Sequence, residues 1–328
     1  MAHKIMKSLF LLLVLLNLVS NCAHAAPQVP CFFIFGDSLA DNGNNNNLVT
    51  AAKANYRPYG IDFLMNTGRD RDILVGVNYA SGAAGIRDET GRQLGDRISL
   101  NKQLLNHAVT INGLIQLLGT GKEATNYLNK CLFYVSLGSN DYLNNYFMPS
   151  YYPTSRIYTQ DQYAKILIDQ YSLQIRLLYL LGARKIALPG LGSIGSIPYS
   201  VSTLCRNNLS CVTNINNAVQ PFNARLVSLV DELNRELTDA RFIYLNTSGM
   251  SAGDPSMLGF RVIDTGCCPA RSDGQCIQDS TPCQNRNEYV FWDAIHPTEA
   301  VNRFTASRSY NASLPSDAYP TDISHLVN

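Results

Sequence analysis

Five short runs rich in β-branched, aliphatic and aromatic residues recur at wide spacing: Cys31–Gly36, Leu74–Ala80, Cys131–Leu137, Arg184–Leu188 and Arg241–Leu245. Runs of this length and composition read as buried strands. Helical stretches lie between them. The clearest is 160–181, where Thr159 and Gln162 match a capping box and Gly182 supplies the stop. Another spans about Val212 to Leu237, with Pro221 expected to kink it. Strand–helix–strand alternation predicts a parallel sheet with helices on both faces. Ligands of such sheets sit beyond the carboxyl ends of the strands, near the point where strand order reverses. Functional groups are therefore expected just after the runs.

The first 25 residues hold Lys4 and Lys7, the apolar run Leu9–Leu16 and the small-residue stretch before Ala26. This pattern predicts a secretory signal peptide over 1–25, cut after Ala25. An uncleaved membrane anchor is the weaker alternative, because the run falls well short of the ~20 apolar residues that span a bilayer. Residues 26–328 contain no repeat or linker and suit one large α/β domain. With 26 Lys and Arg against 25 Asp and Glu, no excess charge recruits nucleic acid or an anionic membrane surface. The expected partner is a small or neutral molecule.

Nine cysteines are present, and loss of Cys22 with the signal peptide leaves an even number in a chain bound for an oxidising compartment. Cys205 and Cys211 flank a short loop and are expected to pair. Cys267, Cys268, Cys276 and Cys283 crowd one Gly/Pro-containing segment, which reads as stapled; a zinc site is weaker, since no His stands beside them at ligand spacing. Cys31 and Cys131 each lie seven residues before Ser38 or Gly138. In adjacent parallel strands that equal offset places them at similar height, as a disulfide or as two buried thiols. Asn208, Asn246 and Asn311 each begin an Asn-x-Ser/Thr sequon.

The strand ends carry distinctive residues. Strand one runs into Gly36-Asp37-Ser38, the second run into Ser81-Gly82-Ala83-Ala84-Gly85, and the third into Gly138-Ser139-Asn140-Asp141. Acyl transfer needs a nucleophile, a base, a group that orients the base, and donors for the developing oxyanion. Ser38 on a turn after a buried strand is the candidate nucleophile. Asp293 and His296, three residues apart, can be delivered by one loop as orienting carboxylate and base. The N–H of Ser38, an N–H from the Gly82–Gly85 turn and the amide of Asn140 are the candidate oxyanion donors. Taken singly, each motif has a plainer reading: Gly-Asp-Ser as ordinary turn chemistry, Asn140 as a turn cap, Asp293 as a helix cap, and Asn44–Asn47 as a flexible loop. Asp37 and Asp141 read as hydrogen-bonders of their turns. Tyr142, Tyr146 and Phe147 either line an acyl pocket or pack in the core.

Together, Phe35-Gly36-Asp37-Ser38-Leu39 with Asp41 to Asn46, Asn78 to Ile86, Gly138 to Asp141 and Asp293 to Pro297 resemble the four blocks of the plant GDSL esterase/lipases of the SGNH hydrolase superfamily. The similarity extends from about Val29 to the C-terminus. It implies a flavodoxin-like three-layer α/β/α fold with a five-stranded parallel sheet. It further implies a secreted carboxylic-ester hydrolase with a Ser38–His296–Asp293 triad and no metal or organic cofactor. The oxyanion hole implied is Ser38, Asn140 and a block-two glycine, Gly82 before Gly85. One departure stands out: near 69–72, several tens of residues are missing relative to the family pattern, leaving Leu48–Ala54 as the only helical candidate between strands one and two. That departure makes a catalytically impaired binding or cell-wall-associated protein one alternative; an acyltransferase that passes the same acyl-enzyme to an alcohol is another.

Overall fold

The computed structural model describes residues 27–53 and 70–328. The expected signal peptide, and most of the Leu48–Arg69 crossover, lie outside the described residues. Strands β1 (Phe32–Gly36), β2 (Leu132–Ser136), β3 (Lys185–Pro189) and β4 (Arg241–Leu245) are successive parallel neighbours. A separate two-stranded unit joins β5 (Val262–Gly266) to β6 (Tyr289–Phe291). The fifth strand of the main sheet is β7 (Ala318–Tyr319), antiparallel to β4. The molecule is thus an α/β protein with a mostly parallel five-stranded sheet.

The second predicted strand, Leu74–Ala80, departs from regular strand geometry. It flanks β1, where the carbonyls of Val75 and Val77 accept from the amides of Phe32 and Ile34, and the amides of Tyr79 and Ser81 donate to Ile34 and Gly36. Only Ile34 and Asn78 form a regular bridge. The cause is Gly76, whose φ of +117° interrupts the extended course; a Cβ there would stand 1.9 Å from the Phe32 carbonyl oxygen. With this segment counted beside β1, the order is second run, first, third, fourth, fifth, the flavodoxin-like arrangement. Residues Leu48–Lys53 are also not helical. Thr50 instead bridges Gly95, and Ala51 and Asp96 exchange backbone hydrogen bonds with Leu94 and Val49.

Alternation along the strands divides the core. Phe33 and Phe35, Phe133 and Val135, Ile186 and Leu188, Phe242 and Tyr244 point into the main core. Helices Leu100–Leu118, Gln160–Leu180 and Gln220–Glu236 contribute buried residues to this layer. The other face is thinner: Leu132, Ala187, Ile243 and Leu245 meet Met250, Leu326 and Val327. On that face of β1, Phe32 is 39% exposed. Thr159 caps the Gln160–Leu180 helix through the Gln162 amide in a complete capping box. At Pro221 the predicted kink is a break, giving helices Leu209–Ala218 and Gln220–Glu236, because the ring suits a first turn and not a helix interior.

All eight cysteines among the described residues are paired: Cys31–Cys131, Cys205–Cys211, Cys267–Cys283 and Cys268–Cys276. The register of Phe32 against Leu132 sets Cys31 beside Cys131, with Cα atoms 4.8 Å apart. Replacing Gly76 by Ala should destabilise the fold by about 1–3 kcal/mol from its backbone conformation alone, with the collision against Phe32 adding to this; a urea midpoint equal to wild type would refute the account.

Candidate active site

Three chain segments reach the same end of the sheet because their registers are shared. Gly36 pairs with Ser136 in β2 and accepts from Ser81 on its other side. Ser38, the Ser81–Ala84 turn and Ser139–Asp141 therefore begin at one level. Gln103, fully buried on helix Leu100–Leu118, finishes the β1 end: its Oε1 accepts from the Gly36 amide at 3.0 Å and its Nε2 donates to the Gly36 carbonyl at 2.8 Å. Nothing in the sequence around Gln103 signals this role, since its partner lies 67 residues away.

His296 Nε2 is 2.8 Å from Ser38 Oγ, and His296 Nδ1 is 2.8 Å from Asp293 Oδ2. Asp293 is fully buried, and its Oδ1 accepts from the amides of Ile295 and His296. Thr298, not Asp293, caps the helix Glu299–Tyr310. Burial disfavours charge on both groups, but their mutual attraction and hydrogen bonding prevail: the His296 pKa is held above 6.5 and that of Asp293 below its ordinary value. Beneath the serine, burial pushes the Asp37 carboxyl up to about 6 while its Oδ1 accepts from the Leu39 amide.

The loop bearing Asp293 and His296 rests on the cystine-rich segment. Gly266 lies so close that a Cβ would come within 2.8 Å of the Asp293 backbone. Next to it, the amides of Cys267 and Cys268 donate to the carbonyls of Phe291 and Trp292, and Ala294 donates to Gly274. The four cysteines form disulfides and not a metal site.

Facing the serine, the second block is pinned by the first. Asp41 accepts from the amides of Gly43, Asn44 and Gly82. Asn44 Nδ2 donates to the carbonyls of Asn78 and Ala80, and Asn45 Nδ2 to those of Ala52 and Gly82. The Asn run is thus a set of staples, not a free loop. Asp141 ties the third block to the second, accepting from the amides of Ile86 and Arg87 and the hydroxyl of Thr90; burial raises its carboxyl to about 6.

The two candidate glycines are placed differently. Gly82 lines the cleft, but its N–H is committed to Asp41 Oδ2 at 2.8 Å. Gly85 is absent from the cleft wall, and Thr90 and Asp141 fill the space where its side chain would be. Between them Ala83 takes a left-handed conformation, φ +63°, and lines the cleft, with its N–H unclaimed among the described residues. Asn140 is 7% exposed and donates one Nδ2 hydrogen to the Ala84 carbonyl. The cleft, about 620 Å³, holds Ser38, His296 and Asn140 in its wall with Leu94, Leu143 and Met148. Tyr142 and Tyr146 pack against Tyr163 in the core and do not line it.

The GDSL-like Lipase/Acylhydrolase family model matches residues 32–309. Three Arabidopsis thaliana proteins named GDSL esterase/lipase are 50%, 48% and 47% identical to this chain. Those matches cover 93%, 92% and 94% of this chain and 93%, 93% and 95% of the relatives. A match of this extent, with the strand-end blocks in one cleft, means that the chain belongs to the GDSL-like lipase/acylhydrolase family.

Proposed function

We propose that the chain is a secreted carboxylic-ester hydrolase acting on acyl lipids or other small esters, with Ser38, His296 and Asp293 as its triad. The observation that carries this reading is the unbroken relay from Asp293 Oδ2 through both His296 nitrogens to Ser38 Oγ, opening on a partly apolar cleft. Such a relay also argues against a binding protein without catalysis. Its family, whose matched relatives are named esterase/lipases, points to the same reaction class.

Ser38 Oγ attacks the ester carbonyl as His296 Nε2 takes its proton, and Asp293 holds the Nδ1–H and stabilises the imidazolium. The tetrahedral oxyanion is met by the Ser38 N–H and Asn140 Nδ2. From the second block the donor is the Ala83 N–H, since the Gly82 N–H is held by Asp41. Each such donor contributes a factor of about 10²–10³ to kcat. Collapse expels the alcohol, which leaves with the proton from His296. Water, deprotonated by His296, then releases the acid and restores Ser38.

Secretion is supported by the complete pairing of the described cysteines, which an oxidising compartment sustains. Among the described residues no helix is long and apolar enough to cross a membrane. The match to the first relative spans 339 positions while covering 93% of this 328-residue chain, so gaps fall within this chain. That supports reading the stretch after Arg69 as shortened.

Ser38→Ala or His296→Ala should cut p-nitrophenyl ester hydrolysis by about 10⁴-fold or more with the thermal unfolding midpoint unchanged, and a serine-directed phosphonate should label only proteins that retain Ser38. Undiminished turnover in Ser38→Ala would refute the mechanism. Because the base must be neutral, kcat/KM should fall as pH drops through a value above 6.5. Asp293→Asn removes the charge that raises it, so that limb should shift to lower pH while the plateau drops about 10³–10⁴-fold; an unmoved limb would exclude the pairing as its cause. Glycans should occupy Asn208 and Asn311, which are exposed, more readily than Asn246, whose Nδ2 already donates to the Ser316 carbonyl. Single Asn→Gln variants compared by mass test this, and a full-occupancy glycan at Asn246 alone would contradict it.

A further inference from the structure

One wall of the cleft carries a chain of side-chain amides that the reaction scheme leaves unused. Asn144 Nδ2 donates to Asn140 Oδ1 at 2.6 Å, and Gln93 Nε2 donates to Asn144 Oδ1 at 2.8 Å. Tyr152 OH donates to Gln93 Oε1. The order of donors is set at the Asn140 end. There the Ala84 carbonyl can only accept, so Asn140 must present Nδ2 to it and Oδ1 to Asn144. With Asn144 Nδ2 committed to Asn140, its Oδ1 calls for a donor, so Gln93 presents Nε2 to it and leaves Oε1 for the Tyr152 hydroxyl, a group able to donate or accept.

The backbone is shaped for this contact. Tyr142–Tyr146 is a π-helical turn, and Asn144 is its one residue with non-helical angles, φ −111° and ψ +24°. Its carbonyl accepts from the Gly91 amide, which ties the distorted turn to the segment bearing Gln93. Asn144 and Gln93 both line the cleft.

We propose that Asn144 is a positioning residue: it fixes the Asn140 amide with Nδ2 toward the nucleophile, and Gln93 and Tyr152 hold Asn144 in that sense. The proposal rests on the oxyanion role assigned to Asn140. With Oδ1 engaged by Asn144 and one Nδ2 hydrogen by Ala84, Asn140 has a single hydrogen left for the cleft. Its amide cannot rotate to offer oxygen instead, which would repel a negative intermediate. Donors aligned before the reaction need no reorganisation as charge develops, and that is where their catalytic value lies.

The test is Asn144→Asp, which replaces the donor facing Asn140 by an acceptor of nearly equal size. Hydrolysis of p-nitrophenyl butyrate should lose about 10²-fold in kcat, with KM within about twofold. Affinity for an alkyl boronic acid, which forms a charged tetrahedral adduct on the serine, should fall in parallel. As pH drops and the introduced carboxyl protonates, it can donate again, so the ratio of wild-type to variant rates should narrow. In an Asn140→Ala background the same change should cost less than about twofold, because a positioning residue has nothing left to position. Gln93→Glu, which acts one link further away, carries the same test if Asn144→Asp does not fold. Equal losses from Asn144→Asp with and without Asn140 would overturn the positioning role alone. An Asn140→Ala enzyme with unchanged kcat would overturn the oxyanion assignment, and the proposal with it.

Discussion

Gly36 is the hub on which the site depends. Its amide and carbonyl are held by the two ends of the Gln103 side-chain amide, and its carbonyl also accepts from Ser81. Beside it, β2 pairs in register at Ser136. These contacts set the height at which three chain segments leave the sheet. A one-residue slip would turn every side chain of β1 to the opposite face, removing Phe33 and Phe35 from the core and Ser38 from the cleft. Burial of two aromatic rings and placement of the proposed nucleophile are thus one constraint.

Above that level the cleft is built mainly from buried polar contacts, which work by geometry more than by net energy. Hydrogen bonds to charged groups contribute roughly 1.5–3 kcal/mol each, and a buried donor left without a partner costs roughly 1–3 kcal/mol. Asp41 serves three amides and Asp141 two amides and a hydroxyl, so loss of either would strand several donors at once. The carboxylates that brace the cleft are therefore as constrained as the residues of the proposed triad.

Much of this was readable from the chain alone, for identifiable reasons. Four of the five apolar runs are strands of the main sheet, and the capping box at Thr159 lies where its spacing put it. These signals are local. The second run was harder to read, because the conformation of Gly76 interrupts pairing that composition alone would permit. Strand β7 has only two residues and thus no periodicity to detect. Ser38, Asn140, Asp293 and His296 stood out as groups placed just after strands or on one loop, and they converge in one cleft wall or its support. Gln103, Asn45 and Asn144 did not. Their significance lies in partners distant along the chain, or in a π-turn that propensity does not foresee. The glycine block shows a related limit: the motif suggests where a backbone approaches a ligand, but Asp41, from another segment, takes up the Gly82 amide.

Ser38 and His296 are separated by 258 positions, nearly the whole of the folded chain. During synthesis the hydroxyl emerges among the earliest structured residues and the imidazole among the last. A nascent chain, or one cut short before residue 296, carries Ser38 and the amides around it without His296. On the proposed mechanism, hydrolysis begins only when the C-terminal loop docks on a completed sheet. Turnover by that mechanism would report on completion of folding.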